Sequence, residues 1–304
     1  MAQGDLCLSL DHIDQQEVSK KLRAAAISVF AALALVALKL GGAVFTNSLA
    51  LFSEAGHSFV DGVAAIVTLI AVWMARVPPD REHHFGHAKY ESVGALVQLI
   101  ILLALCGFII FEAIERLRMN TPPVVRSGFA LGVMVVSIGV EAWRTMSLFR
   151  AARHSKSEAL AASSIHFLSD FLDSIAVIIG LIFALFGYAR ADSYAALIVA
   201  AVILTLSVRL GRDVLHSLTD RAPAGLADDI RPIVCSVAHV MDVHDIRIRR
   251  AGAQYFAEMH VDLEPDLPLA EAHNVLDIVE DELRKRYPNM HITTHPEPYQ
   301  PGTA

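Results

Sequence analysis

Six long apolar runs dominate this chain, and each is long enough to cross about 30 Å of hydrocarbon as an α-helix. They cover Leu22–Phe45, Ser48–Met74, Ser92–Ile114, Ser127–Ser147, Ala159–Phe186 and Ser193–Val208. A bilayer core offers no water to the backbone, so each run must satisfy its own peptide groups, which a helix does. The 304 residues are 54% hydrophobic and have a mean hydropathy of +0.48, too apolar for a soluble protein of this size. The expected fold class is an α-helical membrane protein built as a six-transmembrane-helix bundle. The last run is the shortest and blends into LGRDVLHSL, so its helix is expected to continue past the membrane.

Lys and Arg in the connections set the orientation. Lys20, Lys21 and Arg23 precede the first run, Arg76, Arg81 and Lys89 follow the second, Arg150, Arg153 and Lys156 follow the fourth, and Arg209, Arg212 and Arg221 follow the sixth. All of these belong to one side. The other side has the Thr46-Asn47 turn, the Arg116–Arg126 connection and Arg190. Both termini are therefore expected in the cytoplasm. The polar, acidic segment 1–20 lacks the basic start, apolar centre and small-residue cleavage site of a signal peptide and is expected to be retained.

The composition changes near Arg221. The stretch PAGLADDIRPIVCSVAHV reads as an amphipathic helix after a Pro/Gly turn, and HDIRIRRAG and AQYFAEMHVDLEP alternate at period two around Gly252. LAEAHNVLDIVEDELRKRY returns to helical period and MHITTH alternates again. The order αββαβ resembles a small C-terminal cytoplasmic ferredoxin-like α/β domain. The expected organisation is thus a cytoplasmic segment 1–20, a transmembrane domain 21–215 and a cytoplasmic domain 216–304.

Two identical spacings interrupt the apolar runs: His57-x-x-x-Asp61 and His166-x-x-x-Asp170. Residues i and i+4 share one helix face, so each pair can aim an imidazole nitrogen and a carboxylate at one point. An ionisable side chain at bilayer depth costs roughly 2.5–3.5 kcal/mol on insertion scales, and four together require mutual pairing or a bound ion. Polar contacts between helices would explain one such residue more readily than two matched pairs. A tetrahedral N2O2 set suits Zn2+, with Co2+, Ni2+ and Fe2+ as competitors.

Other clusters are less specific. PPDREHHFGHAKYES holds Asp80, His83, His84 and His87, which spacing alone leaves open between a metal site and a solvated loop. In the C-terminal domain His244, His260, His273 and His295, with Glu297 two residues after the last, each read singly as surface or core histidines. Cys7, Cys106 and Cys235 show neither a disulfide framework nor CxxC spacing. A net charge of −7 and a pI of about 6.0 give no basic signal for nucleic acid.

Together, the six runs, NSLALFSEAGHSFVD, HHFGHAKYES and the αββαβ tail resemble the cation diffusion facilitator family over residues 20 to 298. The resemblance implies a homodimeric exporter of divalent transition metals in the bacterial inner membrane, typically exchanging Zn2+ for H+. His57, Asp61, His166 and Asp170 match the family's transport site, and Asp80, His83 and His87 match a loop site. His244, His260, His273 and His295 match a regulatory cytoplasmic site, where Glu297 stands at a position commonly held by Asp. Lys89 and Asp220 match an ion pair between the two domains, and His84 has no role in this pattern. Relatives with Asp in place of His57 resemble carriers of both Zn2+ and Cd2+, so His57 favours zinc over cadmium. Iron and nickel stay open, because related sequences share much of the signature.

Two rivals come from other classes. An intramembrane metallo-hydrolase would need an open metal position and a general base, and the chain has no H-E-x-x-H. A metal sensor without transport would explain the histidine-rich tail but not the buried ligands.

Overall fold

The computed structural model describes residues 2–46, 49–119, 128–185, 191–252 and 254–300. Asn47, residues 120–126 and Arg190, on which part of the orientation reading rests, lie outside them, as do the expected span ends Ser48, Ser127 and Phe186. The chain divides into two units, Met1–Val214 and Leu215–Ala304.

Among the described residues, six long helices build the first unit: α1 (Ala2–Thr46), α2 (Leu49–Ala75), α3 (Tyr90–Met119), α4 (Gly128–Ser155), α5 (Glu158–Leu185) and α6 (Ala191–Leu218). Among the described residues, four of them are long and apolar enough to cross a membrane, over Ser19–Phe45, Ala55–Ala75, Tyr90–Arg118 and Ser193–Leu218. Helix α1 begins well before its apolar run, because no Gly or Pro between Asp5 and Leu40 interrupts it. Helix α6 also runs on past its apolar stretch to Leu218, as expected.

The bundle exposes large apolar side chains and buries small polar ones among its apolar contacts. Phe30, Phe59, Trp73, Phe108, Phe111, Trp143 and Ile198 are exposed, while Ser28, Ser58, Thr68, Gln98, Ser163 and Ser207 are buried. That inversion fits a bundle solvated by lipid, where small and hydroxylated residues let helices approach closely. At Gly94 the approach is so tight that a Cβ would collide with Ala71 of α2. One turn along α3, the Gln98 amide donates to the Ala64 carbonyl and to Thr68 Oγ1.

Lys21 of α1 donates to Glu91 of α3 at 2.8 Å with both side chains buried. At the same end, Ala25, Ala71, Val72, Leu148, Ala152, Ala159 and Leu160 form one apolar cluster. The start of the apolar run of α1, the ends of α2 and α4, and the starts of α3 and α5 thus share an end, the one that carries the basic connections. A tight link joins α4 to α5: Lys156 adopts φ 50°, and Ser157 Oγ accepts from the Leu160 amide at 3.4 Å.

The second unit contains α7 (Leu226–Val234), β1 (Val240–Ala251), β2 (Gln254–Leu263), α8 (Leu269–Arg286) and β3 (Met290–Pro298), in the expected αββαβ order. Strand β2 is central, antiparallel to β1 and parallel to β3. Its Ala257, Met259, Val261 and Leu263 are buried with Ile230 and Val234 of α7 and Val275, Val279 and Leu283 of α8. Both helices therefore cover one face of the sheet. Phe256, Glu258, His260 and Asp262 point to the other face, as period two requires.

Candidate metal sites of the bundle, the loop and the tail

Helix α2 carries His57 and Asp61, and helix α5 carries His166 and Asp170. The pairs meet across the two helices. His57 Nε2 lies 3.7 Å from Asp170 Oδ1 and 4.0 Å from Asp61 Oδ1, and His166 Nε2 lies 3.4 Å from Asp61 Oδ1 and 4.0 Å from Asp170 Oδ2. Tetrahedral ligands about 2.0–2.1 Å from Zn2+ stand about 3.3 Å from one another. His57, Asp61 and Asp170 each offer a donor atom within 4.8 Å of the others, and His166 Nε2 flanks the two carboxylates at 3.4 and 4.0 Å, so the donors must draw closer to enclose such an ion. The Ser169 hydroxyl is shared between the His166 carbonyl at 2.7 Å and Asp170 Oδ1 at 3.4 Å.

The loop between α2 and α3 gathers Asp80, His83 and His87. Asp80 Oδ1 accepts the amides of His83 at 2.6 Å and Glu82 at 2.9 Å, closing an Asx turn. Those two amides hold the Asp80 carboxyl below the usual carboxylate range, the His83 amide contributing most. His83 Nδ1 and His87 Nε2 stand 3.4 and 3.5 Å from the carboxylate. His87 Nδ1 faces the Val77 carbonyl at 3.2 Å, a contact that leaves Nε2 as the free donor if Nδ1 carries the proton. His84 is exposed.

In the tail, sheet register places three histidines in one rung: His244 pairs with His260, and His260 with His295. Their ring centroids are 5.3 and 5.0 Å apart. Glu297 lies 2.8 Å from His260 Nδ1 and 3.5 Å from His244 Nε2. His295 Nε2 is farther from it, at 3.9 Å. A β-bulge follows His244, since three steps to Arg247 match two from His260 to Glu258, and Asp245 within it takes φ 48°. His273 is not part of this cluster: it is exposed on α8, beyond the covered face of the sheet, and its near neighbour is Asp277 at 3.8 Å.

These arrangements have relatives. Residues 25–219 match the cation efflux transmembrane domain, and residues 223–299 match the cation efflux protein cytoplasmic domain. The chain belongs to the cation diffusion facilitator family. The cation-efflux pumps FieF of Salmonella arizonae and Salmonella newport are each 32% identical to it over 277 residues, covering 91% of this chain and 92% of theirs. A solved structure of the putative zinc transporter CzrB is 32% identical, covering 26% of this chain and 99% of that one with a TM-score of 0.25. The protein is thus a divalent-cation efflux transporter with a helical membrane domain and a small α/β cytoplasmic domain. Lys89 precedes α3 in the first unit, and Asp220 follows α6 in the second with φ 55°.

Several charged residues escaped the sequence reading. Asp262 lies 3.3 Å from His244 Nδ1, and Asp245 lies 4.0 Å from His260 Nε2, so carboxylates outnumber the one expected in the tail cluster. Within the bundle Lys39, Glu141 and Arg144 are buried. The argument that singled out Asp61 and Asp170, an ionisable group at bilayer depth, applies to them equally. They lack only a repeated spacing to draw the eye.

Proposed function

We propose that the protein is a zinc/proton antiporter that exports Zn2+ from the bacterial cytoplasm as a homodimer, with six spans per subunit and both termini inside. The observation that carries this reading is the meeting of two imidazole nitrogens and two carboxylates, drawn from α2 and α5, at nitrogen–oxygen distances of 3.4–4.0 Å, three of the four buried in the bundle. Borderline nitrogen donors favour zinc over harder ions, and four protein donors leave no open position for the water that a hydrolase needs. Metal binding requires deprotonated donors, and imidazole is the donor type that protonates nearest neutrality, so loading a proton from outside favours release. The Lys89–Asp220 pair and the loop and tail clusters belong to this reading as coupling and metal-sensing elements.

Proteoliposomes test it. Zn2+ flux should reach background in Asp61→Ala and Asp170→Ala, and a pH dye should report opposite proton movement with the wild type. Substantial flux through either variant sinks the site, and flux that moves no protons sinks antiport. A panel of Fe2+, Co2+, Ni2+ and Cd2+ in the same vesicles decides the cargo.

A further inference from the structure

Three buried charges lie beside the four-donor site and take no part in it. Lys39 of α1 is 4% exposed, Glu141 of α4 is 7% exposed and Arg144 of α4 is 2% exposed. Lys39 Nζ stands 3.9 Å from Glu141 Oε1, and Ser174 of α5 donates to Glu141 Oε2 at 3.3 Å. Ser174 follows Asp170 by four residues, so Glu141 sits one helical turn from the metal donors. Arg144 donates from Nε to Ser28 Oγ at 2.7 Å, and its guanidinium lies 3.3 Å over the ring of Phe167, the residue next to His166. Its Nη2 is buried with no hydrogen-bond partner among the described residues. Arg144 and Glu141 thus lie within electrostatic range of Asp61 and Asp170.

We propose that Lys39, Glu141 and Arg144 form a charge cluster that sets the affinity of the bundle for its divalent cargo. The proposal rests on the four-donor site being the transport site. With neutral imidazoles, Asp61 and Asp170 alone would leave the empty site with two negative charges and the loaded one with none. The energy of burying charge grows with its square, so such a site would hold the ion tightly and return empty with difficulty. With Glu141 ionised beside Lys39, the cluster adds two cations and one anion. The empty core then carries one net negative charge and the loaded core one net positive charge, which brings the two costs close together. Binding strong enough to load and weak enough to release is what a carrier requires. These are positioning residues, acting through the field at the donors rather than by touching the ion.

The test is the KM and Vmax of Zn2+ flux in proteoliposomes of the full-length protein. Arg144→Met removes a repelling charge, so KM should fall by roughly tenfold while Vmax also falls, because release slows. Arg144→Lys should restore both. Glu141→Gln shifts the field the other way and should raise KM. The Arg144→Met, Glu141→Gln double variant should return KM toward wild type. A purely structural role predicts higher KM or lost protein in every variant and no compensation in the double, and that pattern overturns the proposal. Should Arg144→Met fail to fold, an unchanged or lowered KM in Glu141→Gln overturns it as well. Wild-type flux that survives Asp170→Ala would instead overturn the reading of the site itself.

Discussion

His57 differs from its three fellow donors in exposure. Its side chain is 41% exposed, whereas His166, Asp170 and Asp61 stand at 1%, 6% and 11%. The buried three are enclosed by the bundle, and His57 is the accessible member of the set. A donor so placed can be exchanged at a lower desolvation cost than the three buried ones. Replacing it by Asp swaps a borderline nitrogen for a harder oxygen and recreates the arrangement of the relatives that resemble zinc and cadmium carriers. Cadmium flux through His57→Asp should therefore rise severalfold relative to zinc. An unchanged Zn2+/Cd2+ ratio in competition uptake would assign selectivity to some other residue.

At the scale of elements, the donors stay in place because α2 and α5 are held by their neighbours. Gly94 and Gln98 fasten α3 to α2 at Ala71 and Ala64. Gly94→Val should force the two helices apart and cost about 1–3 kcal/mol, read as a lowered melting temperature of the purified protein with reduced flux. A variant as stable and active as wild type would show that this contact does not matter. The loop between those helices makes a separate prediction. An Asp held below its ordinary range contributes its turn-closing bonds above that range and loses them only as pH falls through its lowered value. The Glu82 and His83 amides should accordingly keep their exchange protection, corrected for intrinsic rates, from pH 7 to pH 5. Protection that vanishes in that interval would remove Asp80 as the organiser of the loop. The helices and strands themselves were legible in the sequence, because long apolar runs and period-two alternation are local signals. The meeting of His57 and Asp61 with His166 and Asp170 could be inferred from matched spacings. The bulge at Asp245, the approach of Asp262 to His244 and the Lys39–Glu141 pair depend on register and on packing between distant segments, which no local pattern encodes.

At the scale of the whole molecule, the tail has its own apolar core and one open sheet face, and on that face His244, His260 and His295 share a rung, with Glu297 beside them on the rung of Asp262. His273 sits on α8, across the sheet from that rung, so it cannot join the cluster of its own subunit without unfolding the domain. If it is a ligand, a second copy must supply it. This makes the contribution of His273 depend on protein concentration, whereas that of His260 does not. In a fragment spanning 221–304, His260→Ala combined with His295→Ala should abolish Zn2+ binding at every concentration. His273→Ala should leave binding unchanged where the fragment is monomeric and weaken it where scattering shows dimers. Loss of binding in His273→Ala at monomeric concentrations would mean that the two faces of the sheet do not separate these histidines. A fragment that binds no zinc in any form would confine the metal chemistry of this transporter to its bundle and loop.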